Sequence, residues 1–391
     1  MPGIKFYKII ILIATWAAVH FLLWHILGIR NLYDSARYIQ SATYMAENGS
    51  FKDPNDVFYS VPIAMIAFFA AVFSGDLIPF LVFQSVLSCL AALAIGKVAT
   101  SFFSDHRAGL AAGLIFLLWW DNIQWNTTVM TESLLCSSIC FLMAWLSRFK
   151  NTVNDHVILL IIVILIFLVR PTGVVVIVGV IVFLIKYHWN YLSAERSRIS
   201  ILIFSLSLLA LIGGGAMLNT WDFMEQNKVG NIVTYMDGLE GKPLYHSSLR
   251  SDISGLDFAD GQRAPVFKIF YFIVSNPLYV LKTGSLKVLY LMTGLRPYYS
   301  TLHNAYLVLW MSAIYLLSYF GWKRIGRTPI GWFIMTVIIV NAAVIAISTV
   351  DWDNRFYIPM EPGIVVLAGI GTMQILDLAN SRRMSILPKK R

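Results

Sequence analysis

Long apolar runs separated by short polar and basic stretches make up most of the chain. They lie at 6–28, 61–74, 77–98, 108–120, 132–147, 157–169, 173–187, 199–218, 303–321, 329–349 and 359–377. A helix crossing the hydrocarbon core of a bilayer needs roughly 20 apolar residues. The longer runs therefore read as transmembrane helices. The shorter ones read as helices whose ends are buried in protein or line a cavity, because free backbone groups are costly at membrane depth. The first run, Ile9 to Leu27, exceeds a signal-peptide core of roughly 7–15 residues and has no clear small-x-small cleavage site. It is expected to be an uncleaved first membrane helix.

Two polar regions carry structure of their own. Residues 31–47, NLYDSARYIQSATYMAE, place Leu32, Ala36, Ile39 and Thr43 near one helical face, which predicts an amphipathic helix lying along the interface. Residues 219–264 are polar and glycine-rich. Residues 265–294 turn apolar and aromatic again, punctuated by Pro277 and Gly284, and predict a second interfacial element. No tandem repeat, low-complexity tract or interdomain linker divides the chain. The expectation is one membrane domain over 1–391, with 29–60 as a first outer loop and 219–302 as a second, larger outer region.

Composition agrees with this pattern. The chain is 58% hydrophobic and 13% charged, about half the charge of a typical soluble domain, which excludes an ordinary soluble protein. The net charge of +9 is carried by short basic runs between apolar ones: Lys5 and Lys8, Arg148 and Lys150, Arg196 and Arg198, Lys323 to Arg327, and 382–391. No basic stripe is interleaved with exposed aromatics, so nucleic acid is not an expected partner. By the positive-inside rule both termini and loops 148–156, 187–198 and 322–328 are expected in the cytoplasm. Regions 29–60, 219–302, 350–358 and the turn at 170–172 then fall outside. Two ends on one side require an even number of crossings, and eleven runs do not satisfy this; the short run 61–74 is the one expected not to span. Cys89, Cys136 and Cys140 all lie in apolar runs, and the one-turn spacing of the last two suits packing better than a disulfide or a metal site.

Ionisable residues beside long apolar runs cost about 2.5–3.5 kcal/mol each at a helix centre, so their placement is informative. Asp34 and Arg37 follow the first run. Glu132 opens the fifth, in TTVMTES. Arg170 interrupts FLVRPTGVV, and Asp351, Asp353 and Arg355 lie in DWDNRFYIP. All fall on the predicted outer side. A transporter would instead place such residues near the midplane on broken helices from two repeats. A site at one interface suits a reaction between a lipid-anchored substrate and an outer-side partner. Structural roles are open for each: Asp34 as a cap, Arg37 as a headgroup contact, Glu132 as an N-terminal helix acid, Arg170 as the ion partner of Glu132, and Arg355 as a snorkelling side chain.

At these residues the chain resembles the GT-C superfamily of membrane glycosyltransferases, whose members include protein O-mannosyltransferases and lipid A aminoarabinose transferases. The resemblance rests on Asp34 with Tyr38 after the first membrane helix, TESL at Glu132, RPTG at Arg170, RPYYSTLHN at 296–304, and RFYIPMEP at 355–362. It implies an all-α polytopic fold, a GT-C-like bundle of about 10–11 helices with extracytoplasmic interfacial helices. It also implies an enzyme of a plasma membrane, of the bacterial inner-membrane kind. Such an enzyme moves a sugar, with inversion, from a polyprenyl-phosphate carrier to a glycan, lipid or protein acceptor on the outer face. The catalytic residue of the first outer loop then maps to Asp34. Many relatives carry two adjacent acids there, whereas this chain has Asp34-Ser35, so Glu132 is the second acid if one is needed. A carboxylate can take the acceptor hydroxyl's proton as attack proceeds, and guanidinium groups suit the departing phosphate. Arg170 and Arg355 come first for that role and Arg37 third. Arg296, Tyr38, Tyr298, His303 and Tyr357 complete the expected substrate-binding set, with an interfacial aromatic belt as the alternative for the tyrosines. No cofactor is required. A divalent cation among Asp34, Asp53, Asp56, Glu132, Asp351 and Asp353 is possible, but no spacing demands one. Two other functions stay open: a lipid-linked glycan polymerase or ligase, and a non-catalytic lipid or sugar transporter.

Overall fold

The structure is a computed structural model describing residues 6–32, 34–103, 105–190, 196–220, 224–234, 249–259, 264–351 and 353–386. The tail 387–391, the loop residues 191–195 and the polar stretch 235–248 lie outside the described residues, as do the side chains of the basic residues Arg196, Arg198 and Arg382. Among the described residues the fold is all-α. In chain order the helices are α1 (Phe6–Leu27), α2 (Ser35–Asn48), α3 (Ser60–Val72), α4 (Ile78–Phe103), α5 (His106–Leu118), the single turn α6 (Trp120–Ile123), α7 (Glu132–Leu146), α8 (Val153–Val169), α9 (Val174–Asn190), α10 (Arg196–Thr220), the single turn α11 (Glu225–Lys228), α12 (Pro265–Ser275), α13 (Pro277–Thr293), α14 (Thr301–Ile325), α15 (Pro329–Ile347) and α16 (Glu361–Ile386).

Local sequence explains where these helices begin and end. Thr152 and Asp155 form a reciprocal capping box at the start of α8. Thr328 caps α15, with Pro329 in its first turn. Gly294 ends α13 at φ +68°, a left-handed conformation that glycine adopts freely. Pro277 divides the predicted element 265–294 into α12 and α13.

Six helical stretches are long and apolar enough to cross a membrane, among them Pro54–Val72. Contacts between helix ends define two faces. On the first, Lys8 and Asp105 interact at the starts of α1 and α5, and Arg107 feels Asp377 near the end of α16. Arg324 at the end of α14 lies over Phe103 at the end of α4, and Lys186 in α9 over Trp332 in α15. On the opposite face the Arg30 N–H donates to the Thr127 carbonyl after α1, and Arg170 at the end of α8 and Arg355 in the segment after α15 approach Glu132 at the start of α7. The ends of α3, by contrast, both meet the second face. Its first residues follow Tyr59, which packs on Tyr38 of α2, and Phe69 near its end packs on Phe80 and Phe83 at the beginning of α4. Gln84, one residue further, donates to the carbonyls of Trp125, Asn126 and Thr128. Long as it is, α3 returns to the face from which it enters.

The interfacial helix predicted over 31–47 is α2, but its buried face differs from the expected one. Ser35, Tyr38, Ser41 and Ala42 are buried, while Ala36 and Thr43 are exposed. The aromatic ring of Tyr38 sets the rotation of the helix, since seating it between α3 and the bundle buries more surface than the small side chains of the predicted stripe. At the centre of the bundle α14 packs along α16 through glycines. A Cβ on Gly321 would collide with the Leu367 backbone, and one on Gly371 with the Leu317 backbone. Small residues permit this close approach where lipid offers no hydrophobic drive between helices.

Candidate functional site

Three backbone devices carry the charged residues to the second face. The loop before α7 is held from below: besides Gln84, Asn126 bonds to the ring of His20 in α1 and accepts from the Ser133 hydroxyl. This fixes Glu132 in the first turn of α7, fully buried. Pro171 cannot continue α8, so the helix stops at Arg170, whose backbone is extended. Gly173 completes the RPTG turn, because a Cβ there would lie 2.8 Å from the Ile166 carbonyl oxygen. After α15, Asn354 adopts φ +60° and turns the chain into a short 3-10 helix that begins with Arg355.

These devices bring five charged side chains together. The Arg355 guanidinium is 2.9 Å from the Asp34 carboxylate, 3.0 Å from Asp351 and 4.0 Å from Glu132. Arg170 is 2.5 Å from the same Glu132 oxygen that faces Arg355. Phe356 lies beneath both arginines, with guanidinium-to-ring distances of 5.5 and 5.8 Å. Thus Asp34, Glu132, Arg170 and Arg355 converge as expected, and the Glu132–Arg170 ion pair is present. Only Asp34 has a clearly accessible side chain: 33% exposed, against 0% for Asp351 and Glu132.

Arg37 and Tyr38 border this cluster. The Arg37 guanidinium lies 4.7 and 4.6 Å from the ring centroids of Tyr38 and Tyr59. Burial alone would lower its pKa, but Tyr38, Tyr59 and Asp34 outweigh burial and hold it up. Burial pushes the Tyr38 hydroxyl well up, so it stays protonated.

Of the remaining expected residues, Arg296 bonds to the 351–357 loop and Tyr357 belongs to it. Arg296 is fully buried and donates to the carbonyls of Tyr290 (3.0 Å), Leu295 (2.8 Å) and Asp351 (2.7 Å) and to the Asn354 side chain (3.4 Å). It ties the loop to the end of α13, which is a different task from the substrate contact expected of it. Asn304 fastens the same corner by bonding to both the N–H and the carbonyl of Arg296. Tyr357 is buried, bonds to the Tyr315 hydroxyl at 3.1 Å and packs on Trp119. His303 stacks on Tyr299 at 4.2 Å, and Tyr298 packs edge-on to Tyr299.

Two acids near that loop were not singled out as site residues by sequence: Asp121, in the turn after α5, and Glu361, at the start of α16. Burial pushes Asp121 up to about 6 against the pull of Arg296. Burial, then repulsion from Asp351, pushes Asp353 up to about 7. The available signal was the rule applied to Glu132, an acid opening a long apolar run, which Glu361 also satisfies.

The oxygens proposed for a cation do not converge as a metal cluster. Asp34, Glu132 and Asp351 face guanidinium groups, Asp53 and Asp56 cap the turn before α3, and among the described residues no three Asp, Glu, His or Cys side chains are grouped to hold a metal ion.

No family model and no characterised protein matches the sequence. The fold does match solved structures. The archaeal oligosaccharyltransferase AglB from Archaeoglobus fulgidus, in complex with an inhibitory peptide and a dolichol-phosphate, aligns with a TM-score of 0.52 and 14% identity over 99% of this chain and 53% of its own. The same organism's oligosaccharyltransferase tethered to an acceptor peptide containing the NVT sequon aligns with a TM-score of 0.54 and 14% identity, over 97% of this chain and 51% of its own. The chain spans about half the length of these structures. What is shared over nearly all of this chain is the architecture of these oligosaccharyltransferase structures.

Proposed function

We propose that the protein is a membrane glycosyltransferase that takes a glycosyl group from a polyprenyl-phosphate carrier at the face bearing Asp34 and passes it to a glycan, lipid or protein acceptor. The observation that carries this reading is the ion pair between Arg355 and Asp34, the one accessible carboxylate among three that surround two arginines. A donor phosphate binds guanidinium groups in the same bidentate manner as a carboxylate. Its arrival at Arg355, with Arg170 behind, displaces Asp34 and leaves Glu132 and Asp351 in place. The displaced carboxylate is then free to accept the proton of the acceptor hydroxyl as that oxygen attacks the anomeric carbon. The carrier phosphate departs as an anion held by Arg355. Direct attack of this kind inverts the anomeric centre.

The dolichol-phosphate and acceptor peptide held by the archaeal oligosaccharyltransferases support a lipid-linked donor and leave a peptide acceptor open for this chain. The resemblance to aminoarabinose transferases and the gathering of charge at one face favour a plasma-membrane enzyme with an extracytoplasmic site over a transporter. The test is to incubate the full chain in lipid nanodiscs with glycan, lipid and peptide acceptors together with polyprenyl-monophosphate sugars and, separately, with diphosphate-linked oligosaccharides, following release of the carrier. Release from the monophosphate donors is the expected result. Release from the diphosphate donors alone would establish the polymerase or ligase alternative, and release from neither would remove the enzymatic reading.

A further inference from the structure

A small cavity lies beneath the 351–357 loop, on the side away from Asp34. Its wall is formed by Trp119, Asp121, Asn354, Tyr357 and Glu361, closed by Gly294, Met311 and Ile358, and its volume is about 10 Å³. That is room for one water-sized occupant, too little for a sugar ring or a phosphate.

The electrostatics of the wall do not balance. Glu361 is 1% exposed, and its Oε1 has no hydrogen-bond partner. Asp121 faces the same space, and the two carboxylates repel one another. No Arg, Lys or His forms a salt bridge with either among the described residues. Arg296, whose charge reaches Asp121, bonds to three carbonyls and the Asn354 side chain. An ionised buried carboxylate without a partner is costly, so such an acid keeps its proton until a positive occupant of the cavity replaces it.

We propose that Asp121 and Glu361 hold a single divalent cation in this cavity, with the Asn354 amide oxygen and the Tyr357 hydroxyl as neutral ligands. Two bidentate carboxylates with two neutral oxygens supply about six donors, within the range that Ca²⁺ and similar hard cations accept. The ion would tie the turn after α5, the head of α16 and the residue preceding Arg355 into one unit. It would thereby position Arg355 without touching the groups that face Asp34. The proposal stands on the cavity and its unpartnered acid, independently of the glycosyltransferase reading.

The test uses the full chain in lipid nanodiscs, stripped with EDTA and titrated with Mn²⁺ followed by electron paramagnetic resonance, with Ca²⁺ and Mg²⁺ as competitors. One saturable site is expected. Glu361→Gln and Asp121→Asn should each weaken it at least tenfold, and Asp34→Asn should leave it unchanged. Without cation, Glu361→Gln should unfold at a temperature no lower than the parent, since a neutral amide replaces an acid that keeps its proton; with cation, only the parent should gain. Absence of saturable binding, binding that survives both substitutions, or loss of binding in Asp34→Asn would each overturn the proposal. A variant that unfolds in the absence of cation would overturn it too, because Glu361 would then have a protein partner.

Discussion

Arg355 and Asp34 are 321 positions apart in the chain and 2.9 Å apart in the fold. The pair joins the first segment after α1 to the last before α16, so both ends of the chain contribute to one charged cluster. Asp34 is the exposed partner and Arg355 the buried one. Replacing Asp34 with Asn should therefore lower carrier release by about 10²–10⁴-fold, the usual contribution of a positioned general base. Arg355 keeps Asp351 beside it, so the thermal unfolding midpoint of the variant should stay close to the parent's. Turnover within a few-fold of the parent would rule out Asp34 as the base.

The pair formed by Arg170 and Glu132 is buried on both sides and behaves differently. Arg170→Met leaves Glu132 with Arg355 at 4.0 Å and the Thr131 hydroxyl at 3.4 Å. Breaking a buried pair on one side typically costs about 3–5 kcal/mol. The double variant Arg170→Met with Glu132→Leu should recover much of that loss in denaturant titrations while remaining inactive. If the double variant is less stable than either single one, the pair is not coupled as described.

Arg296 should be intolerant of Lys as well as Ala. Its planar fork reaches several acceptors at once, whereas an ammonium cannot reproduce that geometry. Each hydrogen bond from a charged donor contributes about 1.5–3 kcal/mol. Both substitutions should release the 351–354 loop, measured as faster hydrogen exchange there. Protection unchanged in Arg296→Lys would mean that the fork geometry is not required.

Asp353 gives the cluster a pH dependence of defined sign. Its pKa is raised from 3.8 to about 7 in the folded protein, so the folded state binds the proton more tightly than the unfolded one. Its contribution to stability is fully present below about pH 3.8 and is lost as the pH rises through 7. Thermal midpoints measured from pH 4 to pH 8 should show this fall superimposed on other titrations, and Asp353→Asn should flatten it. An unchanged slope in that variant would assign the effect to another group.

Close helix contact can be tested at Gly371. A methyl group there meets the Leu317 carbonyl, so Gly371→Ala must push α14 and α16 apart. Overpacking of this kind costs roughly 1–3 kcal/mol. Gly214→Ala, where nothing lies within 4 Å, should have no such cost and serves as the control in the same unfolding assay.

Much of this arrangement is legible in the sequence because charge is expensive in lipid. Glu132, Arg170 and Arg355 stand out against apolar runs, and the same cost that marks them forces them together on one face. Orientation of side chains is less legible. The stripe Leu32, Ala36, Ile39 and Thr43 is a valid amphipathic face, but Tyr38 decides which way α2 turns. Arg296 reads like the other arginines of the outer side, because its acceptors are backbone carbonyls, which every residue carries. Glu361 is obscured by Pro362 and the apolar run behind it, although it meets the rule that singled out Glu132. The path of α3 is partly legible: the parity of crossings points to 61–74, whereas length and composition alone make Pro54–Val72 a spanning segment.

That helix has a mechanical consequence. Because α3 enters and leaves on one face, it takes up lateral area in one leaflet and displaces almost nothing in the other. Its exposed Phe68 and Val72 are thereby offered to one leaflet only.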